Sequence, residues 1–168
     1  MFESSKRPIV VPHAEHARLA GIIASQWGND EFARPPFSFQ SFVTGVTFHD
    51  RGYGHLDTLP LGRMADEEWL AVQEASHQMA FRDCEAELVV QFQLLRIANY
   101  SPTPEKEAFS ARLRSHISTL IARSTYQEEQ FLRTDRITQL CDNIAFDFAF
   151  EHATTRSVEV FANPHAEE

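Results

Sequence analysis

Apolar residues that return every three or four positions over long stretches constrain this chain most. Residues 126–150 place Phe131, Ile137, Leu140, Cys141, Ile144 and Phe148 in that rhythm, and residues 104–122 do the same with Phe109, Leu113, Ile117, Leu120 and Ile121. Residues 13–27 repeat it with His13, His16, Ala20, Ile23 and Trp27. A period near 3.6 held this long specifies amphipathic helices. With the patterns through Trp69, Leu70 and Val72 and then through Phe81, Cys84, Leu88, Phe92 and Leu95, the expectation is an all-α bundle of five to seven helices.

Local signals set the boundaries. Pro12 suits the first residue of the first helix, and Gly28 suits its C-terminal cap. "SFVTGVTFHDRGYG" reads as a helix ending at Gly52 or Gly54, although its β-branched residues also suit a strand. Asp66 suits an N-cap, a break is expected near Arg82 and Asp83, and Thr103 with Pro104 marks the next helix start. Residues 1–11 read as an extended arm or strand, "SVEVF" as a short strand, and residues 154–168 as a tail. The 168 residues fit one domain.

Composition narrows the function classes. The net charge of −9 opposes a nonspecific grip on nucleic acid. No apolar run nears the roughly 18 residues of a membrane span, and "MFESSKRPIVVPHAEH" lacks the core of a secretory signal. A cytoplasmic protein that engages neither membrane nor nucleic acid is the expectation. Cys84 and Cys141 fall on apolar helical faces and read as inert core thiols.

Four residues break the apolar pattern in a way that suits chemistry. His16 lies within an apolar helical face. His49 and Asp50 stand together before a glycine-rich turn, and Asp142 sits in the apolar "QLCDNIAFDFAF", with Asp147 the alternative acid. A carboxylate there is costly to bury unless it is paired or coordinated. Two imidazoles with two carboxylates suit one divalent ion of manganese, iron, cobalt, nickel, zinc or magnesium, and leave octahedral positions for water and substrate.

The order His…His-Asp…Asp on successive helices resembles the HD-domain superfamily of metal-dependent phosphohydrolases. "HAEHARLAGIIASQWGN", "FHDRGYGHLDTLP" and "LCDNIAF" more closely resemble a bacterial family known only as a domain of unknown function, over most of residues 10–150. The resemblance implies an HD-like helical bundle in which His16, His49, Asp50 and Asp142 bind one divalent metal. It also implies hydrolysis of a small phosphate ester or nucleotide. Tyr53 stands where that family usually has tryptophan, and Arg51 where an acid is common. Gln91, Phe92 or Gln93 occupies the place of a middle-helix histidine, which favours one metal over two.

Around this set, Asp50 or Asp57 would orient or deprotonate the attacking water. His13 and Arg51 are candidate substrate contacts, and Asp57 is alternatively a partner for an imidazole or a loop-shaping acid. His77 and His116 read as structural, either being a substitute for the missing histidine. The other reading of the chain is a helical binding or scaffold protein with a degenerate HD-like core. The oligomeric state stays open, a homo-oligomer included.

Overall fold

The computed structural model describes residues 1–153 and 157–160. Six α-helices follow a two-stranded hairpin. β1 (Phe2–Glu3) pairs antiparallel with β2 (Val10–Val11), Phe2 opposite Val11. The helices are α1 (His13–Ala24), α2 (Phe39–Thr47), α3 (Asp66–Gln78), α4 (Cys84–Ala98), α5 (Pro104–Ile121) and α6 (Glu128–Phe150), with a 3₁₀ turn at Gly54–Thr58. The expected all-α architecture with a short N-terminal strand is what forms. The N-terminal arm is more than a lead-in, because it folds back and buries Phe2. None of the helices is long and apolar enough to cross a membrane.

The helix ends follow local chemistry. Thr103 caps α5 by accepting from the Lys106 amide at 3.3 Å, with Pro104 as the first helical residue. Asp83 caps α4, accepting from the Glu85 and Ala86 amides at 3.1 Å each, so the expected break near Arg82 and Asp83 is real. Asp66 is the first residue of α3 rather than its cap. The chain enters α3 at Ala65, whose amide donates to Glu68 Oε2 at 3.1 Å. α1 stops at Ala24, short of the expected Trp27, and the chain leaves through tight turns to Gly28, whose φ of 109° is easy only for glycine. Residues 157–160 of the expected "SVEVF" strand form no strand. Phe161 and most of the predicted tail lie outside the described residues, but Val160 packs on the core and the Glu159 carbonyl accepts from Arg136.

α4 is the centre of the bundle. It packs against α2, α5 and α6, while α1 lies across α2 and α6. Phe42, Val46, Leu88, Val89, Phe92, Phe131 and Cys141 form the main core, and Val90, Leu94, Phe109 and Leu113 a second cluster between α4 and α5. Burial of these side chains is the main stabilising term, roughly 1.5–3 kcal/mol for each large one.

The expected extension of α2 to Gly52 or Gly54 is corrected here. α2 ends at Thr47, and residues 48–51 continue as turns, with the Arg51 amide bonded to the Phe48 carbonyl at 3.2 Å. A tertiary contact follows the turn. Gly52 sits so close to α3 that a Cβ there would lie 2.1 Å from the Val72 carbonyl oxygen and 2.8 Å from the Ser76 amide. Gly52→Ala should therefore cost about 2–3 kcal/mol, since backbone cannot yield as a side chain does. Chemical denaturation checks this, and an unchanged midpoint would contradict it.

Candidate metal centre

His16 comes from the first turn of α1, Asp142 from α6, and His49 and Asp50 from the turn after α2. The adjacent His49 and Asp50 side chains converge in that turn, with Nε2 and Oδ2 3.5 Å apart. Ligand atoms of His16, His49 and Asp50 all lie within 4.8 Å of one another. Asp142 Oδ1 is 2.9 Å from His16 Nε2 and 3.4 Å from His49 Nε2, and Asp50 Oδ2 is 3.8 and 3.5 Å from the same nitrogens. Asp147, the alternative acid, is buried on α6, but Asp142 is the acid that reaches both imidazoles.

Both imidazoles are buried, and both carboxylates are partly open, at 13% for Asp50 and 18% for Asp142. His49 Nδ1 donates to the Val46 carbonyl at 2.7 Å, which orients the ring and turns Nε2 inward. Nε2 has no aligned hydrogen bond among the described residues. This buried nitrogen, 3.5 Å from the Asp50 carboxylate and 3.4 Å from that of Asp142, fits a cation once its proton is displaced. Burial alone would push the His49 imidazole down, but the charges of Asp50 and Asp142 and the bonds around it raise it to about 9. Burial would likewise raise Asp142. The His49 charge and the bonds from both histidines instead hold it well below the usual carboxylate range. His16 lacks a partner for Nδ1 and packs against the Phe2 ring at 4.5 Å.

Two further side chains hold Asp142. Gln93 Nε2 donates to Oδ2 at 3.1 Å, and Arg96 lies 3.9 Å from the same oxygen while bonding to Gln93 and, at 2.9 Å, to Asp135. A cavity of about 140 Å³ opens over the cluster, and one of about 370 Å³ adjoins it, lined in part by Trp69, Arg96 and Lys106.

A sequence profile described as "Protein of unknown function (DUF3891)" matches residues 1–167. The chain belongs to that family. No curated protein and no solved structure matches it.

Of the remaining candidates of this DUF3891 chain, His13 lines the cavity over the cluster, while Arg51 and Asp57 have partners of their own. Arg51 does not face it as a free cation. Its guanidinium, 4% exposed, forms a two-pronged pair with Glu87 at 2.8 and 3.0 Å, and its Nε donates to the Ser76 carbonyl at 3.0 Å. Asp57 caps α1 from another loop. Its carboxylate accepts from the His13 amide at 2.6 Å, the Ala14 amide at 3.3 Å and His13 Nδ1 at 2.7 Å. Burial opposes ionisation of Asp57, but these bonds hold it below the usual range. Gln91 Oε1 accepts from His77 Nδ1 at 2.8 Å while its Nε2 donates to Glu87, and the His77 and His116 rings meet edge to face.

Sequence reasoning missed Arg96 and Glu87, and named Gln93 only as one of three residues at the place of a middle-helix histidine. The signal was present in part, since four polar residues fall within "ELVVQFQLLR", but the burial of Glu87, Gln91 and Gln93 follows from α4 being surrounded.

Proposed function

We propose that this DUF3891 protein is a metal-dependent phosphohydrolase acting on a small phosphate ester or nucleotide through one divalent ion. The observation that carries the reading is the convergence of His16, His49, Asp50 and Asp142, with His49 Nε2 buried between two carboxylates. The His…His-Asp…Asp order of an HD-like domain supports it. His16, His49, Asp50 and Asp142 would hold the ion. When bound, the ion supplies a Lewis acid for a phosphoryl oxygen and an acidified water for attack. Asp50, partly open to the cavity, orients that water. Gln93 and Arg96 keep Asp142 in place, and Arg96, paired with Asp135, and Lys106, paired with Asp66, put two basic groups in the lining of the adjoining cavity.

A second reading, a domain that binds an ion without turnover, is favoured by Gln93, which occupies Asp142 Oδ2 from the middle helix. Screening phosphate esters with protein purified without a histidine tag separates the two, using manganese, cobalt, nickel, zinc and magnesium in turn. The expected result is metal-dependent phosphate release that falls at least about 100-fold in Asp142→Asn, since even outer-sphere partners of a metal are worth 10–100-fold. Bound ion with no release from any ester would favour the second reading and overturn the first.

A further inference from the structure

His13 is the buried group that the metal centre leaves unused. It is 1% exposed, and its Nε2 has no hydrogen-bond partner among the described residues. Its ring is held on three sides. It stacks on Tyr53 with centroids 3.5 Å apart and planes 8° apart, Phe2 covers it at 4.7 Å, and Nδ1 lies 2.7 Å from Asp57 Oδ1. A carboxylate is the strongest acceptor near Nδ1, so the Nδ1 proton points at Asp57. The Met1 amino group, 3.0 Å from Nδ1, has its own acceptor in the Leu59 carbonyl at 2.7 Å. Asp57 is itself fixed by two backbone amides, so the dyad is rigid. This leaves the Nε2 lone pair as the ring's free functional atom.

The place of the ring is informative. The small cavity over His16, Asp50 and Asp142 and the larger one beside it share four lining residues, His13, Leu61, Trp69 and Ile97. Three of the four carry no acid–base group. A phosphate held over the metal ligands would direct its ester oxygen toward this junction, with the organic group in the larger cavity.

We propose that His13 is the proton-transfer residue of the site, delivering a proton from Nε2 to the leaving oxygen, and that Asp57 is its positioning residue. This rests on the phosphohydrolase reading above. The attacking water forms the new O–P bond as the ester P–O bond breaks. One water proton passes to Nε2 and from there to the departing oxygen, so the alcohol leaves neutral and His13 returns to its starting state. The proposal also assigns a substrate class: esters of unactivated alcohols, whose alkoxides leave poorly without a proton.

The test compares glycerol 3-phosphate with p-nitrophenyl phosphate in the metal-loaded full chain. His13→Gln should lower kcat on glycerol 3-phosphate by about 10²–10⁴-fold. It should lower kcat on p-nitrophenyl phosphate by less than about tenfold, since a nitrophenolate leaves without a proton and only the alkyl ester needs the full acid contribution. Metal content should be unchanged, and Asp57→Asn should follow the same split in weaker form. Equal losses on both esters would overturn the proposal while leaving the hydrolase reading intact. A wild-type protein inactive on both would remove that reading and this one together. Two measurements need no variant: ¹⁵N NMR should show His13 protonated at Nδ1 and bare at Nε2, and wild-type kcat should depend only weakly on leaving-group pKa across a series of esters. An Nε2–H tautomer or a steep leaving-group dependence would each overturn it.

Discussion

Replacing Glu87 with alanine should destabilise the protein by about 3–5 kcal/mol, the usual cost of stripping one partner from a buried ion pair. Both partners are enclosed, with Arg51 4% and Glu87 2% exposed. Glu87 also accepts from the Phe81 amide at 2.8 Å and from Gln91 Nε2 at 2.5 Å, so the substitution leaves a guanidinium and two other donors without their acceptor. The cost comes from the orphaned charge rather than from the lost attraction. The double variant Arg51→Met, Glu87→Leu should therefore recover most of the loss, because matched apolar residues can replace a buried pair at little cost. Urea denaturation of the three proteins checks this. A loss below about 1 kcal/mol for Glu87→Ala would mean that water reaches the pair. Arg51 directly follows Asp50, so the single variant should also weaken metal binding by loosening the turn.

Metal affinity should tighten by about 100-fold between about pH 6 and about pH 8. Without an ion, Asp50 and Asp142 hold a proton on His49, raising its imidazole from 6.5 to about 9. The sign follows directly. A group raised on folding stabilises the ion-free protein fully below about 6.5 and loses that contribution as pH rises through about 9. An ion needs the same Nε2 lone pair, so it must displace the proton. Each pH unit below about 9 then costs about tenfold in apparent affinity. Asp142 adds no slope here, since its carboxyl is held well below the usual range. Chelator competition at fixed ionic strength measures the effect. A flat profile would show that His49 does not take part in holding the ion.

Much of this was legible in the sequence because the signals were local. The 3.6-residue rhythm specified α5 and α6, and Thr103-Pro104 marked a helix start to the residue. His16, His49, Asp50 and Asp142 stood out because polar groups in apolar helical surroundings are costly without a shared partner. What escaped depends on contacts between distant segments. The helical stripe runs on through Tyr53, but α2 ends at Thr47 and Gly52 then meets the backbone of α3. Nothing local marks Glu87, Gln91 and Gln93 as buried; that follows from α2, α5 and α6 enclosing α4. Asp57 and His13 are 44 positions apart, and no periodicity links them. Arg51 looked available for a phosphate because its partner, Glu87, lies 36 positions away.

The most direct test of the metal centre is elemental analysis of protein purified without a histidine tag and equilibrated with divalent ions, beside His49→Ala. The account predicts about one equivalent of a divalent metal in the wild-type chain and a negligible amount in the variant, both proteins remaining folded. Negligible metal in both, or equal metal in both, would contradict it.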